Sequence, residues 1–273
     1  MSTPSSLDEL RAEIDRIDEQ VHGLIMRRAE VAVEIGRFKK DTGGPAFRPA
    51  REAQILRRLA GRHQGPLPFA VIVRLWREMM GAFLALQGTF KVAVLLPTPR
   101  APLIDLAREQ CGAFAVLTPF ESQGQLLREV AEKRAVLGLL PLPSPGEAEP
   151  WWPLLFAGKN APRIAALLPF AGKAQPGRAA FALAAGLPDP SGDDLSLAVI
   201  ETADEISRDA LKSALAKSGL SSQPLATHSS PASHLALVEI KGYVAPHDPR
   251  LAKIVQGSIR RAEIIGIYAR PLA

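Results

Sequence analysis

Leu10-Arg11-Ala12-Glu13-Ile14-Asp15-Arg16-Ile17-Asp18, followed by Arg27-Arg28-Ala29-Glu30-Val31-Ala32-Val33-Glu34-Ile35-Gly36-Arg37-Phe38-Lys39, is the stretch on which the fold turns. Leu10, Ile14, Ile17, Val21, Leu24, Val31, Ile35 and Phe38 fall at helical spacing, which predicts one long helix from Leu7 to Lys40 with a buried apolar stripe. Arg28 stands on that stripe, between Leu24 and Val31. Lys39 is eleven residues further on, about three turns and roughly 16 Å along nearly the same face. A buried cation costs several kcal/mol unless an anion pairs with it, so the pattern predicts a site for a small anion. Arg11 is seventeen residues before Arg28, roughly 25 Å along the axis and about 100° around it. It cannot share one small ligand with Arg28 on the same straight helix. If it serves such a site, the site is a partner subunit's, and the protein is a dimer with shared sites.

Ser6 with Glu9 forms a capping box at the start of this helix, and Asp41-Thr42-Gly43-Gly44-Pro45 closes it. Its length exceeds what a small domain can cover and predicts packing against another subunit. Pro49 suits the first turn of a second helix running to about Arg62. A third runs from near Pro68 to about Leu86, with Ile72, Leu75, Trp76, Met79, Phe83 and Leu86 inward.

From Phe90 the pattern changes to short buried strands at Val92–Leu96, Ala113–Leu117, Ala135–Leu140, Ile164–Leu168 and Ala179–Ala184. Helices at about Pro102–Gln110 and Pro119–Lys133 separate the first three, which is α/β alternation. A proline-rich stretch, Pro141–Pro153, carries Trp151 and Trp152, and Asp189–Asp194 reads as a turn-rich linker. Strands at Leu195–Glu201, Gln223–Thr227, His234–Ile240 and Ala262–Tyr268 then alternate with helices at Ala203–Ser218 and Asp248–Gly257, a ferredoxin-like βαββαβ order. The predicted fold is multidomain α + α/β: a three-helix unit at 1–89, a short α/β block at 90–190 and a βαββαβ module at 191–273.

Composition excludes several classes. No apolar run approaches the roughly 18 residues of a membrane span, and the N-terminus lacks the pattern of a signal peptide. One cysteine, Cys111, permits no internal disulfide, and the expected compartment is the cytoplasm. The net charge of +5 is dispersed among acids, and ten Phe, two Tyr and three Trp form no stacking stripe, so nucleic acid is not the expected partner. A basic surface of this kind suits acidic metabolites.

The helical unit offers its interior Arg11, Arg28, Lys39, Arg51, Glu52 and Gln87. The set has no nucleophile, no metal cluster and no Gly-rich phosphate loop. It can bind a small polyanion, orient it and stabilise developing charge with fixed donors. Unimolecular rearrangement or elimination of a dicarboxylate needs no more than that. Arg37, Lys40, Arg57 and Arg58 read as solvated surface cations, and Gly36 as a packing position or a point of close approach.

The two quoted stretches, with Arg51-Glu52 and Gln87, resemble the all-helical class of chorismate mutases over about residues 7–88. The resemblance implies an intertwined dimer that converts chorismate to prephenate without a cofactor or metal. It implies that Arg28, Arg51 and a partner's Arg11 hold the substrate carboxylates. Lys39 and Gln87 would donate to the ether oxygen, and Glu52 would accept from the ring hydroxyl. Arg48 stands where the family often has an acid, and Phe83 where a small hydroxyl residue is usual; both are expected to line the substrate pocket.

The order of the remaining segments resembles a bifunctional mutase–prephenate dehydratase. Leu235–Gly242 and Ile264–Tyr268 look like closing strands of an ACT domain, and Thr227-His228-Ser229-Ser230-Pro231 lies where such domains bind an effector. An aromatic amino acid effector is thereby implied, with His228 and Ser230 as candidate contacts. The middle block is short and lacks the Thr-Arg-Phe motif, with Gly177-Arg178-Ala179-Ala180-Phe181 its nearest remnant, so no dehydratase activity is expected. Two other readings compete: an isochorismate pyruvate-lyase and a non-catalytic metabolite sensor.

Overall fold

The computed structural model describes residues 6–42, 44–45, 47–96, 103–144, 146–158, 160–172, 177–230 and 233–272. Gly43, Pro102 and Pro231, used in the sequence reading, lie outside the described residues, as does the side chain of Lys40.

Helix α1 (Leu7–Thr42) opens on the expected capping box: the Ser6 amide donates to Glu9 Oε2 at 3.3 Å, and the Glu9 amide to Ser6 Oγ at 3.2 Å. Helix α2 (Pro49–Ala60) begins at Pro49, with Arg48 as its N-cap residue, and α3 spans Phe69–Gln87. At Gly36 α1 and α3 approach closely: a Cβ there would lie 2.8 Å from Gln87 Cγ.

The expected burial of the α1 stripe fails within one chain. Leu10, Ile14, Ile17, Val21, Leu24, Val31, Ile35 and Phe38 are all exposed, Leu24 and Phe38 to 71%. The physical reason is a mismatch of length and face. Among the described side chains, burial on α1 is confined to residues 25–39 and follows Arg28, Ala29, Ala32, Gly36 and Lys39, a face of small residues and cations beside the apolar stripe. On α3, Leu75 and Leu86 also face outward rather than inward, and Arg77 is buried with Val73, Met80, Gly81 and Phe83.

The rest of the chain builds one sheet. Strands β1 (Lys91–Leu95), β2 (Val116–Phe120), β3 (Leu137–Pro141), β4 (Arg163–Leu168), β5 (Ala180–Ala184), β6 (Asp194–Thr202), β7 (Ser222–Ser229), β8 (His234–Lys241) and β9 (Ile259–Ala269) lie in the order β2-β1-β3-β5-β4-β9-β6-β8-β7. Helices α4 (Leu103–Cys111), α5 (Gln123–Ala131), α6 (Pro153–Ala157), α7 (Arg208–Lys217) and α8 (Pro249–Ile254) connect them. The two α/β patterns read separately from sequence therefore share a sheet. They join where β4 runs parallel to β9 at Ile164 and Gly266. A Cβ on Gly266 would fall 2.3 Å from the Ile164 Cβ, so only glycine permits that junction. The order β6-α7-β7-β8-α8-β9 keeps the βαββαβ sequence of elements, with β6 antiparallel to both β8 and β9.

Several boundaries differ from expectation, β9 for instance starting at Ile259 rather than Ala262. β2 starts three residues later than expected and contains Pro119, which an edge strand tolerates; helix α5 then starts behind Ser122, whose Oγ accepts from the Gln125 amide. Helix α7 starts behind Ser207, not at Ala203, for the same capping reason. Trp151 and Trp152 fill the core, and Trp151 Nε1 donates to the Pro141 carbonyl at 3.0 Å.

Asp189–Asp194 is not a free linker, and Arg57 is not a solvated cation. Arg57 Nη1 donates to Ser191 Oγ at 2.9 Å, and Nη2 to the carbonyls of Asp193 and Arg270 at 2.7 and 2.9 Å. Its guanidinium also lies 5.8 Å from the Phe170 ring centre. Asp194 is buried and accepts from the Ser191 amide at 2.9 Å. A guanidinium that satisfies several carbonyls at once is a fixed strut, and it ties α2 to the sheet.

Candidate functional site

The three helices line most of a cleft of about 420 Å³, within the usual range for small-molecule sites. Of the eight residues singled out from sequence, seven line it: Arg28 and Lys39 from α1, Arg48, Arg51 and Glu52 from the start of α2, and Phe83 and Gln87 from α3. Arg11 lies outside the cleft of its own chain, exposed and 3.3 Å from Asp8.

Helical spacing explains the convergence. Arg28, Ala32, Gly36 and Lys39 recur along the one α1 face that meets α3, and the small residues between the cations let α3 come close. Arg28 lies over the Phe83 ring, its guanidinium carbon 4.7 Å from the ring centre. Phe83 thus forms a platform for the guanidinium as well as a wall. Arg28 Nη1 is buried and has no hydrogen-bond partner among the described residues, a buried donor available to an acceptor in the cleft. Burial, reinforced by Arg51, lowers the Arg28 pKa.

Lys39 Nζ donates to Gln87 Oε1 at 3.3 Å, which places both expected ether-oxygen donors side by side. Burial lowers the Lys39 pKa, and the nearby charge of Arg48 lowers it further. Arg51 is exposed at the cleft rim with no ion-pair partner among the described residues.

Glu52, expected to accept from a substrate hydroxyl, lines the cleft, and its Oε2 accepts from Arg77 Nη1 at 2.6 Å in a largely buried ion pair. Burial raises the Glu52 pKa, and Arg77 opposes that rise. Sequence reasoning missed Arg77, although a signal was present: it follows Val73 by four and precedes Gly81 by four, a cation on an inward stripe like Arg28.

Arg48 pairs with Asp189 at 2.6 Å, and Asp189 and Pro190 line the cleft. These two residues lie more than 130 positions away, and no local feature of the sequence assigns them to the site. With Arg48 and Glu52 each paired to an opposite charge, Arg28 and Arg51 remain without an acid among the described residues. The cleft is thereby matched to a small anion of more than one charge. Among the described residues no group of three or more His, Cys, Asp or Glu side chains is placed to hold a metal ion. No described helix is long and apolar enough to cross a membrane.

Residues 10–88 match the family described as Chorismate mutase type II. The intracellular chorismate mutase of Mycobacterium tuberculosis is 34% identical over 76 residues, covering 28% of this chain and 72% of that protein. The bifunctional chorismate mutase/prephenate dehydratase of Pseudomonas aeruginosa is 35% identical over 151 residues, covering 52% of this chain and 40% of that protein. The chain thus spans about two fifths of that bifunctional relative's length. A solved prephenate dehydratase from Streptococcus mutans superposes with a TM-score of 0.44 at 18% identity, covering 68% of this chain and all of that one.

Proposed function

The chain belongs to the chorismate mutase type II family, and from that premise we propose that its three-helix cleft rearranges chorismate to prephenate without a cofactor. The observation that carries the reading is the meeting of Arg28, Lys39, Arg51 and Gln87, from three helices, around one cleft. In this reading Arg28 and Arg51 hold the substrate carboxylates, and a partner's Arg11 completes the clamp. That clamp selects the conformer in which the bond-forming ends face each other. As the ether bond breaks, negative charge grows on its oxygen, and Lys39 and Gln87 donate to it. Donors fixed before the reaction stabilise that charge without reorganising. Glu52, with one oxygen committed to Arg77, offers the other to the ring hydroxyl.

The exposed apolar stripe of α1 supports a homodimer, since burying it needs a second surface. Segment 90–190 is proposed to be a degenerate dehydratase-like block without dehydratase activity. Segment 191–273 is proposed to be an ACT-like module open to an aromatic amino acid. The test is the loss of chorismate absorbance with purified protein, with isochorismate run in parallel. Product is assayed as phenylpyruvate before and after acid treatment. Saturable prephenate formation, with phenylpyruvate only after acid, supports the whole reading. Turnover of isochorismate alone moves it to the lyase, and phenylpyruvate without acid refutes the missing dehydratase.

A further inference from the structure

The cleft is not made by the helical unit alone. Its remaining wall is Asp189-Pro190, carried on the segment between β5 and β6. That segment is held on both sides. Gln54 Nε2 donates to the Pro190 carbonyl at 3.5 Å, and Arg57 takes Ser191 and Asp193. Behind them, Ser191 and Asp194 are buried and bonded to each other, and Arg270 Nε donates to Asp193 Oδ1 at 3.1 Å. These anchors fix the backbone just after Asp189, whose exposed side chain reaches Arg48 at 2.6 Å.

We propose that Asp189 is a positioning residue of the cleft: it holds the Arg48 guanidinium at the rim and cancels its charge beside Lys39, so that the sheet domain sets the electrostatics of the helical site. The proposal rests on the mutase reading above. Among the described residues, the charged groups lining the space around Lys39 are Glu34 and Arg28 on α1, Arg48, Arg51 and Glu52 at the start of α2, and Asp189; α3 contributes the uncharged Gln87. Of the three acids, Glu52 is engaged by Arg77, and Asp189 is the one paired with Arg48, at 2.6 Å. Without it, Arg48 presents its full charge to the cleft. A dianionic substrate is then drawn in more strongly, and the Lys39 ammonium, already disfavoured by burial and by Arg48, is disfavoured further.

The experiment compares full-length wild type, Asp189→Asn, and the charge swap Arg48→Asp with Asp189→Arg. Thermal stability, kcat, KM and the pH profile of kcat/KM are measured for each with chorismate. Asp189→Asn is expected to lower KM roughly two- to fivefold, the scale of an exposed ion pair. It is also expected to move the alkaline limb of kcat/KM to lower pH, with the melting temperature unchanged. The swap is expected to restore both towards wild type. An Asp189→Asn profile that superimposes on wild type, or a shift that the swap does not reverse, overturns the proposal while leaving the mutase reading intact. A wild-type chain that neither binds nor turns over chorismate overturns both.

Discussion

Lys39 and Glu52 show how the site's chemistry depends on what surrounds single residues. Lys39 can donate to an ether oxygen only while protonated. Its pKa is lowered by burial and by Arg48, so its charged fraction falls at a lower pH than for an ordinary lysine. A pH series should therefore show kcat/KM, which reports the free enzyme, declining on the alkaline side before a free lysine would titrate. Lys39→Gln should flatten that decline at much reduced activity. At Glu52, replacing Arg77 with Met leaves a buried carboxylate without its partner, and urea unfolding should reveal a loss of about 3–5 kcal/mol. Adding Glu52→Gln should recover part of that loss, because the uncompensated charge is gone. The sequence made Arg28 and Lys39 legible because each is a cation at helical spacing beside an apolar stripe. Arg77 carries the same signal. The Glu52–Arg77 pair is not legible for the opposite reason: its members sit on different helices, and only the packing of α2 against α3 brings them together.

Helices α1 and α3 meet at Gly36, and the cleft's geometry depends on that contact. A methyl group at position 36 would press on the Gln87 side chain 2.8 Å away, and that chain is flexible enough to yield. Gly36→Ala should thus keep the fold but shift Gln87, one of the two proposed ether-oxygen donors. We expect kcat to fall roughly tenfold or more while the melting temperature changes little, since small misplacements of a donor are costly to rate. At Gly81 the outcome differs: a Cβ would fall 1.9 Å from the backbone oxygen of Cys111, and backbone cannot yield as a side chain does. Gly81→Ala should separate α3 from α4 and cost about 1–3 kcal/mol or more in denaturant unfolding. The capping signals at Ser6 and Pro49 placed the starts of α1 and α2 correctly, being local hydrogen-bond and φ preferences. The end of β2 differs from expectation because Pro119 reads as a helix opener, and only its place on the sheet edge makes it admissible in a strand.

Across the whole molecule, one continuous sheet and one long exposed helix decide how the parts cooperate. The sheet reaches the cleft through Asp189-Pro190 and grips α2 through Arg57. Arg57→Ala should loosen that grip, and proteolysis between the two parts should become faster. None of this was legible beforehand, because contacts between residues more than 130 positions apart leave no periodic trace in either segment. The exposed stripe on α1 bears on the proposed dimer, in which a partner's Arg11 would complete the site. Mixing Arg11→Ala with Arg28→Ala chains should restore part of the lost activity, since one site of each mixed dimer then has both arginines; two inactive parents giving an inactive mixture would refute shared sites. The central claim is that this cleft performs the rearrangement with Lys39 as a donor to the breaking bond. Its most direct test is kcat for chorismate with wild type and Lys39→Ala at equal thermal stability. A fall of about 10²–10³, the usual loss on removing one donor to developing negative charge, is the expected result. A Lys39→Ala chain that forms prephenate at the wild-type rate would contradict the account.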